Sequence, residues 1–234
     1  MRLNRFVTPT FWLLCGCLWF IPMTVRSETI PDDFVYGEES IPEIRLDLRY
    51  FSDNNFVGQR IDGYLQPRCI LTRKAAVALR EVQEELEPFG LGLKIYDAYR
   101  PQQAVDHFVR WAKDVCDTRM KNQFYPQVEK ENLFRDGYIA AKSSHSRGST
   151  VDVTIVSLGG ESPGIELDMG SIFDFFGRES WPDNPSVLPG QRAHRLLLQT
   201  LMKNHGFQPY PQEWWHFTLK DEPYPQTYFN FPVR

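Results

Sequence analysis

Ser143-Ser144-His145-Ser146-Arg147-Gly148-Ser149-Thr150-Val151-Asp152-Val153-Thr154-Ile155 reads in two halves. From Thr150 onward the chain alternates at period two. Val151, Val153 and Ile155 point one way and Thr150, Asp152 and Thr154 the other, which is the pattern of a strand. A carboxylate on the polar side of a strand needs a partner, and a metal ion is one. The Arg147-Gly148 pair offers a turn. The stretch therefore predicts His145 and Asp152 side by side on neighbouring strands.

A second strand is predicted at Glu213–Leu219, opening on Glu213-Trp214-Trp215-His216. Catalytic zinc takes three His or carboxylate ligands and leaves one position for water. His145, Asp152 and His216 make such a set, and Glu213 is then an unligated carboxylate able to take a proton from water. The spacing carries one difficulty, since residues three apart on a regular strand face opposite sides. Convergence of Glu213 and His216 requires Glu213 to precede the strand or sit at a bulge, and Pro211 makes an early irregularity reasonable. The same residues also fit a metal-free reading, with hydrogen-bonded histidines and Trp214 and Trp215 as plain core aromatics. His107, His194 and His205 fall in helical segments without a nearby carboxylate pattern and are read as structural or solvated.

Around these strands the periodicity predicts three helices. Ala75, Ala76, Leu79, Val82 and Leu86 recur at helical spacing, with Thr72 as N-cap and Pro88 and Gly90 as the stop. Pro101 suits the first turn of a helix through about Cys116 that buries Val105, Phe108, Val109 and Ala112. A third helix is expected from Gln191 to His205, with Leu196, Leu197 and Met202 inward and Gly206 ending it. Leu91–Tyr96 reads as a further strand, and residues 28–66 as loops and short extended pieces. Helices and strands do not alternate as a parallel sheet demands. The expectation is an α+β single domain, a small antiparallel sheet flanked by helices with the metal site on the sheet.

The N-terminus stands apart from this fold. Arg2 and Arg5 precede an apolar run from Phe11 to Met23, shorter than the roughly 20 residues a spanning helix needs. Val25-Arg26-Ser27 then offers a cleavage region, so residues 1–27 read as a secretory signal peptide and 28–234 as the mature domain. An uncleaved anchor and a lipoprotein signal around Cys15 and Cys17 are the competing readings. Loss of Arg2, Arg5 and Arg26, with no acids, shifts the formal charge from −4 to −7. An acidic chain without a basic run excludes a nucleic-acid or anionic-membrane footprint and favours small soluble partners. Cys69 and Cys116 are the two cysteines left, and their pairing stays open.

Several segments together resemble the D-alanyl-D-alanine dipeptidases of the VanX type, within the zinc D,D-peptidase superfamily. They are Val-Gly-Gln-Arg-Ile-Asp-Gly-Tyr at 57–64, Tyr-Asp-Ala-Tyr-Arg-Pro at 96–101, Ser-Ser-His-Ser-Arg-Gly-Ser at 143–149, Met-Gly-Ser-Ile-Phe-Asp at 169–174, Glu-Trp-Trp-His at 213–216 and Asp-Glu-Pro-Tyr-Pro at 221–225. The likeness runs from about Arg45 to Arg234. It implies one zinc ion per chain on His145, Asp152 and His216, with Glu213 as general base and then proton donor. It also implies that Arg100 steadies the oxyanion, that Asp174 receives the substrate ammonium, and that Tyr50 and Ser143 help define a small pocket. Asp97 would orient Arg100, or alternatively cap the helix after Pro101. The implied substrate is the dipeptide D-alanyl-D-alanine; the alternative is a related D,D-carboxypeptidase or endopeptidase acting on peptidoglycan stems. Taken with the leader, the resemblance leads to an expected periplasmic enzyme of wall turnover or scavenging, without stable membrane insertion once the leader is cut.

Overall fold

The computed structural model describes residues 30–159 and 163–234. The expected leader at 1–27 lies outside the described residues. The elements are β1 (Phe34–Tyr36), α1 (Gly37–Ser40), β2 (Arg45–Leu46), β3 (Ile70–Thr72), α2 (Arg73–Leu86), β4 (Leu91–Asp97), α3 (Gln102–Lys113), α4 (Lys121–Phe124), β5 (Thr150–Ser157), α5 (Pro189–Asn204), β6 (Phe207–Tyr210) and β7 (Glu213–Leu219), with single 3-10 turns between them.

Five strands form one sheet in the order β2-β4-β5-β7-β6, and β1 and β3 make a separate antiparallel pair. The α+β expectation holds. The sheet is antiparallel except at one edge, where β2 runs parallel to β4. That two-residue pairing has no sequence signature, because β2 is too short to show a period.

α2 forms as its pattern dictates. The Thr72 hydroxyl accepts from Ala75 N, and Ala75, Ala76, Leu79, Val82 and Leu86 are all buried. Each large aliphatic side chain so buried contributes roughly 1.5–3 kcal/mol. The chain leaves through a 3-10 turn at Glu87–Phe89 and Gly90, whose φ of 67° a side-chain-bearing residue resists. α3 starts one residue later than expected, with Pro101 as its N-cap; Val105, Phe108 and Ala112 are buried and Val109 partly so.

α5 is rotated from its expected phase. Leu196 and Leu197 are exposed, while Arg195, Leu198, Leu201 and Met202 face inward. The cause is Arg195, a charged residue in an inward position, which hydropathy reads as outward. Strand β5 is buried on both sides, so its polar face does not meet bulk water. Cys69 is buried and Cys116 exposed, and both are free thiols. No helix among the described residues is long and apolar enough to cross a membrane.

Candidate metal centre

The sheet sets the geometry. On β5 and β7, Asp152 and His216 are direct antiparallel partners. An irregularity in β4 between Ile95 and Asp97 puts Asp97 opposite Asp152 on the other side. Three polar side chains thus line up across neighbouring strands. His145 arrives from a 3-10 turn, Ser144–Arg147, and not from a strand, which corrects the expected side-by-side strand placement. Ser143 caps that turn, its Oγ accepting from His145 N at 3.3 Å. Gly148 reverses the chain at φ 83°, and the Phe34 ring occupies the space a Cβ would need.

His145 Nε2 lies 3.2 Å from Asp152 Oδ1, His216 Nδ1 lies 3.1 Å from the same oxygen, and the two ring nitrogens are 3.2 Å apart. The outer ring atoms decide what these inner atoms can do. His145 Nδ1 is 2.7 Å from the Ala98 carbonyl, which can only accept, so Nδ1 carries the proton and Nε2 presents a lone pair. His216 Nε2 reaches Ser144 Oγ at 3.2 Å; a hydroxyl can donate or accept, and when it accepts from Nε2 the inner Nδ1 also presents a lone pair. In that tautomer two imidazole lone pairs and a carboxylate oxygen face one another, an arrangement a cation joins and a proton on His216 Nδ1 satisfies only in part. The donor set therefore fits a divalent ion of the zinc type, and the carbonyl and hydroxyl behind the rings are the orienting partners such ligands use.

The protonation tendencies agree with a centre that calls for positive charge. Burial alone would raise the Asp152 carboxyl, yet His145 and His216 hold it well below the usual range. Burial keeps His145 below the ordinary imidazole value, favouring the neutral ring. Burial also works against charge on His216, but the bond and charge of Asp152 outweigh it and raise that ring.

Glu213 joins this centre through a bulge. The register runs Pro209 opposite Phe217 and then Tyr210 opposite Glu213, so β7 carries extra residues there. Glu213 Oε2 comes within 3.4 Å of His216 Nδ1. Burial in the cleft pushes its carboxyl up, a tendency suited to exchanging protons near neutrality.

Arg100 lies at the other side of the metal residues. Its Nε donates to Asp97 Oδ2 at 2.9 Å and one terminal nitrogen to Asp152 Oδ2 at 3.4 Å. Its guanidinium sits over the Tyr50 ring, 4.9 Å from the centroid. Of the two readings for Asp97, the orienting one is what the structure contains, and Tyr64 Oη reinforces it with a 2.6 Å bond to Asp97 Oδ1. Asp174 is buried with a φ of 60°, and Tyr50 Oη donates to both its oxygens at 3.1 and 2.9 Å. Burial first, and then the charge of Asp152, raise the Asp174 carboxyl well above the usual range.

All eight expected site residues line one cleft of about 410 Å³, whose walls include Phe108, Tyr138, Phe176 and Tyr210. Sequence reasoning missed Ser144, the Ala98 carbonyl and Tyr64. A backbone carbonyl leaves no mark in a sequence, while Ser144, adjacent to a ligand, was open to recognition. His107, His194 and His205 lie outside the cleft-lining residues; each is hydrogen-bonded elsewhere.

Residues 32–234 match the protein family described as Peptidase_M15, D-ala-D-ala dipeptidase. A D-alanyl-D-alanine dipeptidase of Enterococcus faecalis is 42% identical over 200 residues, covering 86% of this chain and 98% of that protein. One of Streptomyces coelicolor is 42% identical over 201 residues with the same coverage. One of Escherichia coli is 35% identical over 178 residues, covering 76% of this chain and 80% of that protein. With the match spanning nearly all of the described structure, the chain belongs to the D-ala-D-ala dipeptidase family of M15 peptidases.

Proposed function

We propose that this chain hydrolyses D-alanyl-D-alanine to two D-alanines, with one zinc ion held by His145, Asp152 and His216. The observation that carries the reading is the convergence of three ligand lone pairs beside the unligated carboxyl of Glu213. The names of the relatives at 42% identity support the substrate.

Zinc, when bound, supplies Lewis acidity and a water of lowered pKa. The protein supplies the rest. Glu213 takes the proton of the attacking water and returns one to the departing amine. The Arg100 guanidinium, fixed by Asp97, faces the charge that develops on the scissile carbonyl oxygen; such preorganised donors commonly carry about 3–4 kcal/mol of rate. Asp174, held by Tyr50, receives the substrate α-ammonium, which brings the positive charge that a buried carboxylate lacks in the empty pocket. Ser143 lines the cleft and holds the turn that presents His145. A ligand bearing an extended N-terminus leaves Asp174 unpaired, and that restricts the site to a free dipeptide.

The reading extends to location. Residues 1–27 would direct export and residues 28–234 would act in the periplasm on dipeptide released from the cell wall, in turnover or scavenging. The basic head at Arg2 and Arg5 followed by the apolar run supports this, and N-terminal sequencing of protein from the periplasmic fraction tests it. A mature chain still starting at Met1 contradicts it.

The activity is tested with purified protein on D-alanyl-D-alanine and on a longer stem peptide ending in the same two residues. The dipeptide should be cleaved, chelation should abolish cleavage, and the stem peptide should be a poor substrate. Equal cleavage of the stem peptide would replace this reading with a D,D-carboxypeptidase.

A further inference from the structure

The loop that bears Asp174 has an unusual anchor. Between Met169 and Trp181 the chain is irregular apart from a 3-10 turn at Arg178–Ser180, and Asp174 lies midway between Met169 and Glu179. Asp174 holds a left-handed conformation that a non-glycine residue adopts only when its surroundings over-determine it. Arg195, from α5, is 2% exposed and donates to three carbonyls of this loop. Its Nε bonds Met169 O at 2.6 Å, one terminal nitrogen bonds Trp181 O at 2.8 Å, and the other bonds Glu179 O at 2.7 Å. Among the described residues it makes no ion pair with a carboxylate.

A buried guanidinium is costly even with the charge of Asp168 acting on it from beyond ion-pair distance, and a neutral residue would fill a plain packing role at less cost. What arginine alone offers is a rigid planar fork that fixes several acceptors at set angles. Here those acceptors belong to the two ends of one loop. Other bonds also hold this stretch: Ser171 Oγ meets Ser180 Oγ across the loop at 3.1 Å, Phe176 N donates to Phe124 O at 2.7 Å, Ser180 Oγ to Phe175 O at 2.7 Å, and Trp214 Nε1 to Ser171 Oγ at 2.9 Å. The Ser171–Ser180 bond is a single neutral contact, whereas Arg195 gathers the Met169, Glu179 and Trp181 carbonyls on one planar group.

We infer that Arg195 is a positioning residue for recognition of the substrate ammonium. It staples the base of the 169–181 loop so that Asp174 keeps its left-handed backbone and its place against Tyr50. This rests on the reading of Asp174 as the ammonium partner. Arg195 touches neither substrate nor the metal residues; it acts through the loop alone.

The test compares wild type, Arg195→Lys and Arg195→Met, each loaded with zinc and checked for metal content. Kinetics are measured on free D-alanyl-D-alanine and on its N-acetyl derivative, together with amide hydrogen exchange across the loop. Misplacing Asp174 should raise KM for the free dipeptide and shrink the free-to-acetyl ratio of kcat/KM by about tenfold or more, with zinc content unchanged. Exchange should accelerate across residues 169–181 and not in β5 or β7. Arg195→Lys, which keeps the charge without the fork, should show the same losses even if Arg195→Met fails to fold. A zinc-loaded Arg195→Lys with the wild-type ratio and wild-type exchange in the loop overturns the inference. Equal loss of kcat on both substrates with an unchanged ratio also overturns it, since that marks general destabilisation. Failure of the parent reading looks different: wild type itself would not distinguish the two substrates.

Discussion

The Glu213 carboxylate lies 3.4 Å from His216 Nδ1, although the two residues are three apart on one strand. The bulge opposite Tyr210 makes this possible by bringing both side chains to one side. Glu213 is thereby close to the metal residues without belonging to the triangle formed by His145, Asp152 and His216.

Base and ligand should therefore separate on mutation. Glu213→Ala should keep its zinc and lose about 10²–10⁴-fold in kcat, the usual worth of a positioned acid–base group. Metal analysis alongside turnover checks this. Loss of zinc in step with loss of rate would make Glu213 a ligand.

Ligand removal should act on the metal itself. His145→Ala and His216→Ala should lower zinc content after dialysis, and Ser144→Ala should weaken zinc binding by about tenfold, because it frees the outer nitrogen of His216. Competition with a chromogenic chelator measures all three. Full zinc retention in both histidine variants refutes the assignment of the centre.

Gly148→Ala should destabilise the fold. Alanine at a φ of 83° is strained, costing roughly 1–3 kcal/mol, and its Cβ meets the Phe34 ring. Urea unfolding should show the loss, and zinc affinity should fall with it because Gly148 links the His145 turn to the Asp152 strand. A midpoint equal to wild type would show that the turn can relax without cost.

The legible parts of this protein were those that carry a local pattern. α2 follows its period and its Thr72 cap, β7 begins and ends where its sequence says, and the need for a bulge near Glu213 could be stated from the spacing alone. The expected ligands His145, Asp152 and His216 carried their chemistry in their residue types, and the structure brings them together. What stayed hidden depended on tertiary partners. α5 turns by the demand of Arg195 for three carbonyls, so Leu196 and Leu197 face out against their hydropathy. His145 sits on a 3-10 turn because Ser143 and Gly148 bracket it, and a short polar stretch does not reveal which turn it makes. The Ala98 carbonyl behind His145 is backbone, and no sequence pattern announces it.

A zinc site that closes around a free dipeptide should separate D-alanyl-D-alanine from its N-acetyl derivative when both are offered to zinc-loaded wild type. The acetyl group removes the ammonium and leaves Asp174 buried without a charged partner, so kcat/KM should fall by about 10²-fold or more. Asp174→Asn should lower turnover of the free dipeptide and narrow that gap. Hydrolysis of the acetylated dipeptide as fast as the free one would contradict the account, because the pocket would then be open where Asp174 is held to close it.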